Sequence, residues 1–333
     1  MYSRPSTALR RVLHVIGLAL FRMGLAVQII GLRKRSVRVL LYHAVEDQET
    51  PFVEGLSVSV TKAIFDAHLS YFNEYYNVVD AADIYSTELP ENALAITFDD
   101  GYRSVYENAL PLLRKHQLPA CVYLNTCAVE GRLVWVNELN WALVTHPQEA
   151  LAICHQFPAL SDAECRLDII DRIKREFTPA EVREFRKRLQ EAISVVTDHK
   201  LYADKAELEE MKRSGITLGF HTRDHYNLAN CDEVELANQL DSSSLKGLID
   251  PSSFAYPFGE FNAQTIAELE ASHYSSLMTV GCNNDRFSSK HVDRLEVFYG
   301  DPAAVFAKIE LEEAVVASLR RLKFKLRSLV GIQ

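Results

Sequence analysis

Short apolar runs alternate with amphipathic segments along most of this chain, and this alternation limits the fold more than any other feature. Residues 37–45, 93–102, 119–126 and 216–222 each form an apolar run of the length of a buried strand. Between such runs, segments such as residues 61–76 repeat apolar side chains at helical spacing. Strands that alternate with helices are typical of a parallel sheet covered by helices. The sequence therefore predicts an α/β fold, and its 333 residues suffice for one barrel or two smaller domains.

Residues 135–200 interrupt this alternation. They are rich in Glu and Arg, follow helical spacing and contain no strand-like run, so we interpret them as a helical insertion. The alternation resumes afterwards, and we place the enclosing domain at residues 36–312. Further strands are predicted at residues 251–259, 275–281 and 293–299.

Charge is distributed unevenly. The net charge is −9, yet residues 1–38 carry eight basic groups and residues 317–333 carry five, with no acidic group in either segment. The body between them is therefore strongly acidic, which argues against nucleic acid as a partner. The two basic termini need a separate explanation.

The N-terminal segment, residues 1–35, is apolar between positions 12 and 32 but is interrupted by His14, Arg22 and Gln28. A central arginine costs about 2.5–3.5 kcal/mol on insertion scales, so a membrane-spanning helix is disfavoured. No small-residue cleavage site follows the apolar run before Arg22, as a cleaved signal peptide would require.

The C-terminal segment, residues 313–333, places Leu319, Leu322, Leu326 and Leu329 on one helical face among basic residues. Helices of this kind lie on anionic membrane surfaces, and we predict peripheral membrane contact for both termini. Two alternatives stay open, namely packing of both helices against the body and a true membrane anchor.

The six cysteines are scattered and form no CxxC pair. In a chain of this length the pattern indicates buried free thiols and a reducing compartment. We therefore expect a protein of the cytoplasm or of the inner face of the cytoplasmic membrane, with an extracytoplasmic anchored form as the alternative.

Polar side chains follow two of the predicted strands. Asp99 and Asp100 end one apolar run, and His221 ends another, with His225 four residues later. Alone, Asp-Asp-Gly is commonly a tight turn and a histidine pair is commonly a cap or a surface pair. Because parallel strands gather their C-terminal ends at one edge of the sheet, we expect these four side chains to lie close together.

One Asp and two His are a suitable ligand set for a catalytic metal ion, because they leave positions for water and a substrate oxygen. If a helical turn follows the strand, His221 and His225 share one face. We expect one divalent ion held by Asp100, His221 and His225. Zinc is the first choice, with cobalt, nickel or iron as alternatives.

The ordered motifs make the chain similar to a known family. The hexapeptide at residues 97–102, TFDDGY, and the pentapeptide at residues 221–225, HTRDH, resemble those of the polysaccharide deacetylases with NodB homology, carbohydrate esterase family 4. The opening LLYHAV and the later YPFGEFN extend the resemblance over residues 37–298.

This resemblance implies a distorted (β/α)7-type barrel and removal of acetyl groups from an N-acetylated sugar. It also implies that Asp99 is the general base. Tyr256 or Phe258, on either side of Pro257, would lend a backbone N–H to an oxyanion hole.

The sequence departs from the family pattern in two places. Where the family often has an arginine that pairs with the base, this chain has Ala255, and Arg294 from another strand is our candidate replacement. The late Leu-x-His motif that supplies the general acid is absent near the C terminus. Leu41-Tyr42-His43 matches it instead, which resembles the circularly permuted deacetylases and makes His43 the candidate acid, ahead of His291.

The function we infer is metal-dependent N-deacetylation of an amino sugar in a polysaccharide or a lipid-linked glycan. The alternatives are a catalytically weak glycan-binding protein, suggested by the missing arginine, and a metal amidohydrolase acting on a non-sugar amide. Four further residues near the motifs, for which core packing or solvation is the plainer explanation, are Trp135, Trp141, Asp224 and Glu260.

Overall fold

A closed ring of seven parallel strands forms the centre of the molecule. The computed structural model describes residues 7–85, 88–194, 200–280, 290–297, 300–312 and 314–315. Its strands are β1 (Arg38–Tyr42), β2 (Ala44–Val45), β3 (Ser59–Val60), β4 (Asn77–Val79), β5 (Ala93–Phe98), β6 (Cys121–Leu124), β7 (Thr217–Phe220), β8 (Ser253–Ala255), β9 (Ser276–Val280) and β10 (His291–Glu296). The ring runs β1-β5-β6-β7-β8-β9-β10 and closes where β10 pairs with β1.

Helices surround this ring. They are α1 (Thr7–Arg22), α2 (Ala26–Gly31), α3 (Lys62–Tyr75), α4 (Leu110–His116), α5 (Thr126–Val129), α6 (Trp135–Thr145), α7 (Pro147–Cys154), α8 (Arg166–Glu176), α9 (Pro179–Ala192), α10 (Lys205–Arg213), α11 (Glu233–Leu240), α12 (Ala263–Ala271) and α13 (Pro302–Phe306). The predicted α/β barrel of the (β/α)7 type is confirmed.

Strands β1, β5, β6 and β8 are buried on both sides, which explains their continuous apolar runs. All six residues of β5 are buried, as are all five of β1. One edge of β5 pairs with β1, while its other edge is shared between β4 and β6. The C-terminal ends of β5, β7 and β8 therefore open on the same side of the ring, where the polar residues of the motifs follow them.

The segment predicted as a helical insertion contains α6 to α9. Helix α9 begins with a capping box, in which Thr178 and Glu181 bond each other's backbone N–H groups. The domain limits at residues 36 and 312 stay predictions. Apart from residues 314 and 315, the C-terminal helix predicted at 313–333 lies outside the described residues.

The N-terminal helices pack on the last described part of the chain. Gly17 of α1 lies so close to Ala307 that a Cβ built on it would be 2.5 Å from the Ala307 Cβ. Buried Glu310 accepts from Arg38 (Nε, 2.8 Å) and from Arg33 (Nη1, 3.0 Å). These contacts attach residues 7–38 to the barrel. No helix in the described ranges has both the length and the apolarity needed to cross a membrane.

Buried His68 of α3 should make the stability of this fold depend on pH. Its Nε2 lies 2.8 Å from the Gly300 carbonyl and its Nδ1 lies 3.1 Å from the Tyr42 hydroxyl, a pattern that a neutral imidazole satisfies. Burial lowers the pKa of His68 to about 4. Because this folded value is below the unfolded value of about 6.5, the stabilisation is complete above pH 6.5 and is lost as pH falls towards 4.

We expect His68→Leu to be less stable than the wild type at pH 8. The difference between the two free energies of unfolding should narrow by about 2 kcal/mol by pH 5. Urea unfolding of both proteins at the two pH values measures this. Parallel pH profiles for wild type and variant would contradict the assignment.

Candidate metal centre

The turn after β5 separates the two aspartates. Asp99 continues the ladder, since its N–H donates to Tyr42 O of β1 at 3.1 Å. Asp100 and Gly101 then adopt left-handed backbone conformations, with φ of 68° and 70°. Such a φ is unfavourable for a residue with a side chain and commonly marks a functional site. The turn lets two neighbouring carboxylates take different positions in the same cavity.

The loop after β7 brings the two histidines together without a helical turn. Thr222 and His225 have φ of 70° and 57°, and the Thr222 hydroxyl accepts from the His225 N–H at 3.2 Å. Trp135 of α6 fixes the loop from outside, since its Nε1–H donates to His225 O at 3.0 Å. No helical turn follows the strand, yet the imidazoles converge, with ring centroids 4.9 Å apart.

Asp100, His221 and His225 present one ligand atom each to a common point. Asp100 Oδ1 lies 3.4 Å from His225 Nε2 and 3.7 Å from His221 Nε2. Two ligand atoms of one tetrahedral zinc ion, each about 2.0 Å from it, are about 3.3 Å apart. Asp100 Oδ1 is also buried without a hydrogen-bond partner. The three side chains therefore fit a small divalent cation.

Hydrogen bonding and burial prepare the histidines as ligands. His221 Nδ1 lies 2.7 Å from Ala255 O, so its proton sits on Nδ1 and the Nε2 lone pair faces Asp100. Burial lowers the pKa of His221 to about 4 and that of His225 well below its usual value. Burial, together with the charge of Asp99, raises the pKa of Asp100 to about 8, so an ionised Asp100 requires a nearby cation.

Asp99 is held differently, by a buried arginine. Arg294 of β10 donates from both Nη atoms to the two Asp99 carboxylate oxygens, each at 2.7 Å. Burial by itself would raise the pKa of Asp99, but the charge and hydrogen bonds of Arg294 outweigh it and bring the pKa to about 2. Asp99 Oδ2 is also only 3.5 Å from His221 Nε2. An ionised carboxylate thus lies beside the candidate cation site.

Both aspartates and both histidines line one cavity of about 370 Å³. His43, directly after β1, lines it too. Burial lowers the pKa of His43, while the charges of Asp99 and Glu296 favour its protonated form. The circular permutation stays a prediction, although β1 does lie between β5 and the last strand of the ring.

The remaining candidates divide between cavity and core. Phe258 lines the cavity, and its ring centroid is 4.5 Å from that of His225. The Tyr256 N–H already donates to Met278 O within the sheet. The backbone N–H of Phe258 is therefore the stronger candidate for an oxyanion donor. Pro257, between these two residues, is buried. The Nε2 atom of His291 is hydrogen-bonded to the Tyr256 hydroxyl oxygen at 3.0 Å.

Three of the four residues for which packing or solvation was the plainer explanation fit that explanation, whereas the Asp224 side chain is mostly shielded from solvent. Trp135 and Trp141 are buried, the latter stacked on Phe52. Asp224 pairs with Arg132 at 3.0 Å, and Glu260 is exposed.

One wall of the cavity was not expected from the sequence. Helix α8 contributes Leu167, Ile170, Asp171 and Lys174, and the Lys174 ammonium lies 4.9 Å from the centroid of the Phe258 ring. Asn227, in the loop after His225, donates to Lys174 O at 3.0 Å and joins this wall to the histidine loop. No motif marks this helix in the sequence. Leu167 and Ile170 are apolar residues at helical spacing, a pattern that is typical of ordinary core residues.

These features define a class of protein, a closed parallel (β/α) barrel with a candidate metal centre at the C-terminal ends of its strands. The family model described as polysaccharide deacetylase matches residues 86–152 and 167–276. The chain belongs to this polysaccharide deacetylase family.

One named relative is similar over most of this chain. The poly-β-1,6-N-acetyl-D-glucosamine N-deacetylase of Escherichia coli K12 is 25% identical over 254 residues, which are 72% of this chain and 33% of that protein. The chain thus spans about one third of that relative's length.

Two solved structures share the fold. The Streptococcus pyogenes deacetylase PplD, in complex with acetate, aligns with a TM-score of 0.55 and 17% identity, over 82% of this chain and 97% of that one. IcaB from Ammonifex degensii aligns with a TM-score of 0.51 and 20% identity, over 82% of this chain and 97% of that one.

Proposed function

We propose that this protein is a metal-dependent hydrolase that removes N-acetyl groups from an amino sugar in a polysaccharide or a lipid-linked glycan. One observation carries the proposal. An arginine-paired carboxylate, Asp99, lies in the same cavity as the convergent Asp100, His221 and His225. Family membership and the E. coli relative, which is named for deacetylation of an N-acetylglucosamine polymer, support the substrate class.

Asp100, His221 and His225 would hold the metal ion. When bound, such an ion polarises the acetyl carbonyl and lowers the pKa of a coordinated water molecule towards about 7. We propose zinc, with cobalt, nickel or iron as alternatives, because an Asp/His₂ set suits each of them.

The other residues of the cavity would carry the proton transfers. Asp99, kept ionised by Arg294, accepts a proton from the attacking water. His43, on the same cavity, gives a proton to the amine nitrogen as the C–N bond of the amide breaks. The products are acetate and the free amino sugar, and one water is consumed. The Phe258 N–H would stabilise the oxyanion that forms on the acetyl carbonyl.

The structure removes the main support for a catalytically weak glycan-binding protein. That alternative rested on the missing arginine at position 255, and Arg294 makes the bidentate contact with Asp99 that such an arginine would provide. A metal amidohydrolase acting on non-sugar amides is separated from the proposal by a substrate panel.

Acetate release tests the proposal directly. Metal-stripped protein is incubated with N-acetylglucosamine oligomers, lipid-linked N-acetyl sugars and simple acetanilides, with and without zinc or cobalt. We expect release only with added metal, and from the sugars rather than the acetanilides. We also expect His43→Ala to reduce the rate by about 10²-fold or more, the usual worth of a general acid.

His155→Ala is the matched control, because exposed His155 donates to Ala163 O in the insertion and does not line the cavity. It should keep its rate. Metal-independent release, or equal rates for the two histidine variants, would contradict the proposed roles.

A further inference from the structure

Helices α1 and α2, with the residues that flank α2, carry apolar side chains that face solvent. Seven of the nine large hydrophobic side chains that are exposed in the described residues lie between positions 12 and 32. We call this surface the outer face; its members are Val12, Val15, Ile16, Met23, Leu25, Val27 and Leu32. Scattered exposed apolar residues need no explanation, but their concentration in one short stretch of the chain indicates an interaction site.

The outer face is not needed for packing against the barrel, because the opposite side of α1 already does this. His14 Nδ1 lies 2.7 Å from Glu312 Oε1, and the Phe21 ring lies 5.5 Å from the Phe306 ring. Gly17, between them, contacts Ala307. Helix α1 is therefore apolar on two sides, one buried and one exposed.

Basic residues accompany the outer face. Arg11, Arg22 and Arg35 are exposed on the same segment, and the first acidic residue of the sequence is Glu46. Lys34 is exposed as well, but its ammonium pairs with Glu91 at 2.8 Å. An apolar surface bordered by positive charge matches the interface of an anionic bilayer, where apolar side chains enter the headgroup boundary and arginines contact lipid phosphates.

The same charges disfavour the other occupants. Residues 317–333 carry five basic groups and no acidic one, so they would bring like charge to the outer face. A second copy of the chain would present its own basic border to the first. Anionic lipid is the partner with the complementary charge.

We propose that the outer face docks this protein on an anionic membrane surface, such as the inner face of the cytoplasmic membrane. The catalytic cavity belongs to a neighbouring part of the chain. Glu296 lines that cavity and also a neighbouring one whose walls include Arg10 and His14 of α1. The docking surface and the cavity are thus carried by adjoining elements, and the inference is independent of the reaction catalysed.

Flotation of the full-length protein with vesicles tests this without any activity measurement. We expect binding to vesicles of phosphatidylglycerol and phosphatidylcholine, and much weaker binding to phosphatidylcholine alone or in high salt. The double variant Val15→Glu/Val27→Glu should bind about tenfold or more weakly, because each valine loses its apolar contact.

Val234→Glu is the matched control, because Val234 on α11 is 72% exposed but lies outside the outer face. It should bind like the wild type, and all variants should show wild-type circular dichroism and melting temperature. Equal binding by the double variant and the wild type would overturn the proposal. So would loss of binding only in Leu322→Glu/Leu326→Glu, or a dimer that the double variant dissociates while the wild type binds no vesicles.

Discussion

Asp99→Asn should reduce acetate release by about 10³-fold or more while leaving metal bound. The amide cannot accept a proton from water, and general-base catalysis is commonly worth 10²- to 10⁴-fold. The candidate metal ligands are untouched by the change, because Asp99 is not one of the three convergent side chains. Acetate release under saturating substrate gives the rate, and elemental analysis of the dialysed protein gives the metal content.

The variant needs a stability control, because asparagine leaves Arg294 buried opposite a neutral group. Breaking a buried ion pair costs about 3–5 kcal/mol, so rates should be compared well below the melting temperature of the variant. Asp100→Asn provides the contrast. It should lose both metal and activity, whereas Asp99→Asn should lose activity alone. Wild-type rates in metal-loaded Asp99→Asn would exclude Asp99 as the base.

The sequence predicts the strand ends well because buried parallel strands are continuous apolar runs that stop at polar residues. Phe98 is followed by Asp99, and Phe220 by His221, and both pairs lie at the same edge of the ring. Strand β4 was not predicted, because its three residues, Asn77–Val79, follow the end of α3 after a single intervening residue and occupy only part of one edge of β5.

Contacts across the ring are harder to predict. The Asp99–Arg294 pair joins residues far apart in sequence, and only the closure of β10 on β1 brings them together. The α8 wall is harder still, since Lys174 reaches the cavity through packing of an insertion that has no motif of its own. Residue type and spacing point to Asp100, His221 and His225 because parallel strands gather their C-terminal ends at one edge, whereas the cavity walls depend on the particular loops.

Arg294→Ala should also be severely impaired, and moving the arginine to position 255 should restore part of the activity. Without Arg294, the buried Asp99 carboxylate loses the guanidinium that stabilises its charge. The pKa of Asp99 therefore rises, and the base is less often ionised. We expect the rate of acetate release to fall by about 10²-fold. The free energy of unfolding should fall by about 3–5 kcal/mol.

Ala255 is a suitable acceptor for the moved side chain. It is fully buried and packs in the same interior cluster as Tyr123, whose ring lies 5.3 Å from the Arg294 guanidinium. In the double variant Arg294→Ala/Ala255→Arg, the volume vacated on β10 is available to an arginine from β8. Recovery of at least about tenfold in rate over Arg294→Ala would show that the charge beside Asp99 matters more than the strand that supplies it.

Ala255→Arg alone should destabilise the barrel, because overpacking a core costs about 1–3 kcal/mol and the added charge has no partner. If the double variant folds and binds metal but recovers nothing, the position of the arginine on β10 is itself required, and Arg294 does more than hold the charge of Asp99.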